Sequence, residues 1–183
     1  MKIKKHRTVW GLLPFLILLC SVLPAAGDEI QEEQVKVAFL YNFAKFVEWP
    51  PEAFKTDSAT LTIGLIGPDP FGSLLDSLKE KTIKGRKINI KRMAKAENPE
   101  DCHIWFISAS EKSNLRNILA QAKNHNILTV SDMDRFAQQG GMIGLINQEG
   151  RINFEINIDA VQRSKLRFSA QLLKLAKIVH GGI

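Results

Sequence analysis

Cysteine is nearly missing from this chain: of 183 residues, only Cys20 and Cys102 are cysteines. Cys20 sits in an N-terminal segment that reads as removable, so no disulfide can close a loop within the remainder. Cys102 is then either a small buried hydrophobe or half of an intermolecular bridge. Its setting, "DCHIWFIS", reads as the entry to a buried strand. Long apolar runs are missing as well. The run at 9–23 has 15 residues and contains Pro14, short of the ~20 residues needed to cross a bilayer.

An excess of positive charge exists only at the start. The formal net charge of +6 comes from 25 Lys+Arg against 19 Asp+Glu. Lys2, Lys4, Lys5 and Arg7 precede the apolar run, and "PAAGDE" follows it. That order is the pattern of a secretory signal peptide. Ala25 and Gly27 supply the small side chains a signal peptidase requires, which places cleavage between Gly27 and Asp28. Leu19 is too bulky for lipoprotein processing at Cys20, and an uncleaved amphipathic anchor is the competing reading. Removal of 1–27 leaves 156 residues with 21 Lys+Arg against 19 Asp+Glu, net +2. The basic balance therefore reports targeting for export rather than affinity for nucleic acid. Residues 28–183 are expected to form a single domain, large enough to bury a core without staples.

Catalytic and metal motifs are also lacking. His103, His125 and His180 are scattered without H-x-x-H spacing, so no metal site is expected. Cys102 and His103 are strand neighbours that point to opposite faces and cannot act as a thiol–imidazole pair. Ser108 and Ser110 have no G-x-S-x-G elbow, and Asp132 and Asp134 suit helix capping. No nucleophile, base and electrophile assemble, so neither an enzyme nor a cofactor is expected. A glycine loop does follow a strand in "GLIGPDPFG", but its spacing is not G-x-G-x-x-G and it has no P-loop Lys-Ser/Thr pair. Pro68 and Pro70 also remove two N–H groups that a phosphate would use. Two readings stay open: a capped turn, or a small-ligand pocket beyond the strand ends formed by Gly67, Asp69, Ser108 and Asp132.

What is present is a regular alternation of strands and helices. Helix is expected over 31–48, stopped by Pro50-Pro51. Strands are expected at 61–67, 87–93, 103–108 and 127–132. Between them, Asp69 is placed as a helix N-cap, 111–126 reads as an amphipathic helix, and Ser131 and Asp134 form a capping pair. Two alternating runs joined at Gln148-Glu149-Gly150 read as a hairpin, and Asp159 is positioned to cap a last helix over 160–179. The pattern predicts an α/β domain: a mostly parallel sheet of about six strands, helices on both faces, and a C-terminal antiparallel hairpin at its edge.

The stretch "FLYNFAKFVEWP" (39–50) carries Phe39, Tyr41, Phe43, Phe46 and Trp49. On a helical wheel the apolar residues of 35–49 spread over roughly 200°, with Lys36 the single intruder. A helix covering one sheet face needs about half that width. The inner residues are expected to be core, and Tyr41, Phe46, Trp49, Pro50 and Pro51 to form a partner-binding edge, since aromatics anchor interfaces.

Several of these stretches together resemble one family. "FLYNFAKFVEWP", "IGLIGPDPFG", "CHIWFIS", "ILTVSD", "GGMIGLI" and "INFEINIDAVQRSKLRFSAQLLKLA" occur in the order found in YfiR-type periplasmic repressors. The resemblance implies a homodimeric, non-catalytic periplasmic protein that holds an inner-membrane diguanylate cyclase inactive through the cyclase's periplasmic part. It further implies release by an outer-membrane OmpA-like lipoprotein, with effects on cyclic di-GMP, biofilm and motility. One departure stands out. The best-known members use intramolecular disulfides, which the single mature cysteine of this chain rules out.

Overall fold

The computed structural model describes residues 26–56 and 59–181. The expected signal segment lies outside the described residues except for its last two. The first helix, α1 (Ala26–Phe46), begins across the expected Gly27-Asp28 cleavage point. The chain continues through β1 (Val47–Glu48), β2 (Leu61–Ile66), α2 (Ser73–Asp76), β3 (Thr82–Ile83), β4 (Arg86–Met93) and β5 (Ile104–Ile107). It closes with α3 (Leu115–Ala122), β6 (Leu128–Ser131), β7 (Ile143–Gln148), β8 (Arg151–Asn157), α4 (Ile158–Gln162), β9 (Arg167–Phe168), α5 (Ala170–Leu175) and β10 (Lys177–Val179).

The main sheet has eight strands, in the order β10-β8-β7-β6-β5-β2-β4-β3, rather than about six. β4, β2, β5, β6 and β7 run parallel to one another, β3 is antiparallel to β4, and β8 is antiparallel to β7. The expected hairpin is β7–β8, closed by Glu149 and Gly150 with φ of 53° and 78°. Two consecutive left-handed residues are what a two-residue type I′ turn demands. The hairpin does not form the sheet edge, because β10 adds outside β8 in parallel register, Ile178 opposite Ile156.

Period-2 alternation divides the strand residues between two cores. Leu61, Ile63, Leu65, Ile104, Phe106 and Val130 face α1, while Ile66, Trp105 and Ile107 face Leu115 and Ile118 of α3. Phe39 and Phe43 of α1 meet Phe154 of β8 edge-on, with centroids 5.3 and 5.2 Å apart. The expected core role of those two aromatics holds.

Several boundaries depart from expectation, each because a side chain or a distant strand outcompetes local helix formation. α1 ends at Phe46, and Val47 and Glu48 pair with Phe168 and Arg167 as a two-stranded ribbon. Asp69 is not a helix cap: its Oδ1 accepts the N–H groups of Phe71 and Gly72, and α2 starts only at Ser73. Ser131 does not pair with Asp134 but accepts the Met133 N–H and donates to the Ile107 carbonyl. The helix expected at 111–126 is a 3-10 turn, Ala109–Asn114, followed by α3.

The largest correction is the final helix, which is not continuous. Asn157, rather than Asp159, caps α4 by accepting the Ala160 N–H. Ser164 Oγ then takes the Leu166 N–H and ends the turn. Ser169 caps a new helix through the Leu172 N–H. Short polar side chains that bond the nearby backbone offer it an alternative to the helix ladder. β1 and β8 supply the strand partners that complete the break.

Lys36, the intruder on the apolar arc, is buried at 6% exposure. Its ammonium meets Asp132 Oδ2 at 2.8 Å and Glu32 and Glu33 Oε1 at 2.9 Å each. Burial pushes its pKa down, but hydrogen bonds to Asp132, Glu32 and Glu33 outweigh that and raise it above the ordinary lysine value. Burial raises the carboxyl pKa of Glu33, against the pull of Lys36. Lys36→Met leaves three carboxylates without their shared cation. Allowing for the solvent access of Glu32, it should cost on the order of 2–3 kcal/mol in urea unfolding at neutral pH. The deficit should shrink as pH falls into the carboxylate range and the repulsion is titrated away.

Cys102 is buried, and that burial pushes its thiol pKa up. Reductant should therefore leave the melting temperature unchanged. A clear drop would indicate a disulfide between chains.

Candidate functional site

The end of α1 leads into the most elaborate set of contacts at the surface. Beyond the β1–β9 ribbon the chain turns at Pro50, and the Trp49 indole N–H donates to the His103 carbonyl at 3.1 Å. His103, in the connection entering β5, is the hub. Its ring stacks on Phe54 with centroids 4.4 Å apart, and the Arg86 guanidinium lies 3.8 Å from the other ring centre, that of Phe54. Arg86 also donates to the carbonyls of Thr56 and Ala59. The loop after α1 is thus clasped to β2, β4 and the start of β5.

The tautomer of His103 follows from its partners. Nδ1 accepts the Thr62 backbone N–H at 3.1 Å, so the proton resides on Nε2, which donates to the Ala53 carbonyl at 3.1 Å. Burial disfavours the imidazolium and lowers the pKa to about 4, against the help of Ala53 and with the Arg86 charge adding to the effect.

Around this clasp lies a cleft of about 220 Å³ lined by Val47, Trp49, Phe54, Ile83, Lys84 and Arg86, among others. Cations accompany the aromatics on two flanks of this helix end. Lys81 sits 5.6 Å from the Tyr41 ring and Lys45 5.5 Å from the Phe46 ring, distances at which cation and ring attract. The arrangement is a partly apolar surface fringed with positive charge, suited to contacts with another macromolecule.

The five expected partner-binding residues occupy this region but are not equivalent. Tyr41, Phe46, Trp49 and Pro50 are half-buried and Pro51 is exposed. Tyr41 and Phe46 lie about 140° apart around the helix, so they face different flanks and do not form one patch. Trp49 also has a structural duty through its hydrogen bond to His103. His103, Phe54 and Arg86 were not singled out from sequence as members of this site. The backbone partners of the histidine side chain lie 41 and 50 positions away, and no local pattern announces such contacts.

The expected ligand-pocket residues all fall at the carboxyl ends of parallel strands, yet each is engaged. Asp69 Oδ2 accepts from Arg92 Nε at 2.7 Å, and Asp132 is held by Lys36. Where β2 and β5 part, a Cβ on Gly67 would lie 3.1 Å from Ser108 Cβ and 3.1 Å from Glu111 Cγ. The Glu111 side chain thus fills the crevice that often receives ligands in such sheets. Further clefts of about 350 and 700 Å³ lie elsewhere, and none of the three is lined by Gly67, Asp69, Ser108 or Asp132. No cluster of three metal-ligating side chains occurs among the described residues.

The clasp should be acid-sensitive. The folded state holds His103 neutral to about pH 4, whereas an unfolded histidine protonates near 6.5. The unfolded chain therefore binds the extra proton first, and stability falls as pH drops from about 6.5 to 4 by up to ~3 kcal/mol. His103→Gln should flatten this acid limb in unfolding curves taken across that range, at the expense of stability near pH 7.

A sequence profile described as YfiR/HmsC-like matches residues 33–177, from the first described turns of α1 to the start of β10. That span contains the aromatic part of α1, the clasp and all but the end of the eight-stranded sheet. The chain belongs to the YfiR/HmsC-like family.

Proposed function

We propose that this protein is a periplasmic, non-catalytic regulator that holds a membrane-bound diguanylate cyclase inactive and so lowers cyclic di-GMP. The observation that carries the reading is the family match over 33–177, since the family implies a diguanylate cyclase partner in general. The N-terminal segment, read as an export signal with cleavage at Gly27-Asp28, would deliver the domain to the compartment where the cyclase exposes its sensory part. The aromatic, cation-fringed end of α1 is the face offered to that partner. A homodimer, and release by an OmpA-like outer-membrane lipoprotein, complete the scheme. The alternative, a small-ligand module using Gly67, Asp69, Ser108 and Asp132, draws support only from their shared position at the strand ends.

Tyr41 and Lys45 give the cleaner test, because Trp49 also holds the clasp together. Loss of the protein should raise cellular cyclic di-GMP. Tyr41→Ala combined with Lys45→Glu should reproduce that rise and abolish co-purification with a membrane-bound diguanylate cyclase of the same cell, while the purified variant, which also loses some packing of Tyr41 on the core, stays folded by circular dichroism. Unchanged cyclic di-GMP on deletion would remove the cyclase from the scheme. Normal binding by the folded variant would remove only this face.

A further inference from the structure

A second surface lies on the far side of the sheet from α1 and owes nothing to the reading above. It is a cleft of about 700 Å³ running alongside α3 toward α4. Its rim carries four cations and no carboxylate: Lys112, Arg116 and Lys123 from α3 and its flanks, and Arg163 from the end of α4. All four are exposed. Lys112, Arg116 and Lys123 make no ion pair among the described residues. Asp159, the acid nearest Arg163 in the chain, is engaged by His180 at 3.0 Å and by the Gly181 N–H. Leu119 and Met142 contribute to an apolar floor.

Charge, shape and length together define the occupant. Three cations without an ion pair, with Arg163 beside them within the field of Asp159, call for several negative charges. From Lys112 to Lys123 the cationic row extends roughly 17 Å at helical rise, longer than one small anion can serve. The concave, apolar floor does not match a flat lipid headgroup layer, whereas it does accept leucine-sized side chains. We infer that this cleft binds an acidic amphipathic peptide segment of a partner protein, with carboxylates along the Lys112–Arg116–Lys123 row and apolar residues on the Leu119–Met142 floor. Helix-in-groove and charge-row recognition of this kind reuse ordinary secondary-structure spacing.

The test uses the full exported chain and a fluorescein-labelled synthetic 16-residue peptide with Glu on one helical face and Leu on the other, followed by anisotropy. Saturable binding is expected, weakening at least tenfold with Arg116→Glu/Lys123→Glu and with Leu119→Asp, and falling steeply with salt. A peptide with Ser in place of Leu should bind at least tenfold more weakly, and one with Lys in place of Glu should not bind. Tyr41→Ala should leave peptide binding unchanged, the charge-reversal variant should keep its melting temperature, and Leu119→Asp, which also loses packing on the core beneath it, should stay folded by circular dichroism. No binding overturns the inference. So does equal binding of the leucine-free peptide, or affinity unmoved by the charge reversals. Arg116-dependent binding of phosphatidylglycerol vesicles or of a simple dicarboxylate, in place of the peptide, assigns the cleft to another ligand class and overturns it as well.

Discussion

One face of the sheet depends on α1 being held across it at two points. Midway along the helix, a buried ammonium gathers three carboxylates, one of them just past the end of β6. Past its C-terminal end, an indole N–H reaches the backbone entering β5. Between these anchors, Phe39 and Phe43 pack on Phe154, and the sheet residues facing them are almost wholly buried. Apolar burial supplies most of the stabilisation, but it is non-directional. The polar contacts at these two points specify where the helix lies. Asp132 is ion-paired to Lys36, so the turn after β6 and the middle of α1 are set together.

The two sides of the sheet are consequently different in character. The α1 side is rich in aromatics, broad, and closed off by a clasp around a neutral histidine. The α3 side is narrower, with aliphatic packing around Trp105 and a cleft that carries only positive charge on its rim. Charge is distributed unevenly over the two sides: acids cluster around Lys36 and Arg92, while α3 and its flanks display Lys112, Arg116 and Lys123 without ion pairs among the described residues. Such separation creates local potentials that net charge does not reveal.

What could be read from the sequence was whatever rested on local pattern. The apolar run at β2, the alternation and turn of β7–β8, and the aromatic face of α1 all declare themselves within a dozen residues. The single misplaced charge on the α1 arc, Lys36, was visible too, although its partner Asp132 was not. The region after Asn157 was misread because Val161, Phe168 and Leu172 recur at a helical period by coincidence. Phe168 is in a strand opposite Val47, and Leu175 is 69% exposed. Ser164 and Ser169 were the available clue, since each sits where a hydroxyl can stop or start a helix. The His103 clasp had no such clue. Its contacts join residues from four separate segments, and only the folded topology brings them together.

The β1–β9 ribbon joins residues near the two ends of the domain, Val47 to Phe168 and the Phe46 carbonyl to the Ser169 N–H. A chain emerging from its N-terminus makes α1 first and the strand that secures its end last. Until the final fifth of the sequence is available, the widest apolar face in the molecule has only part of its cover. Contacts this distant in sequence are slow to form, and a half-emerged chain with such a surface is prone to associate with others. A nascent copy therefore carries an incompletely covered aromatic helix until β9 arrives, and the ribbon marks the moment at which that surface becomes its own.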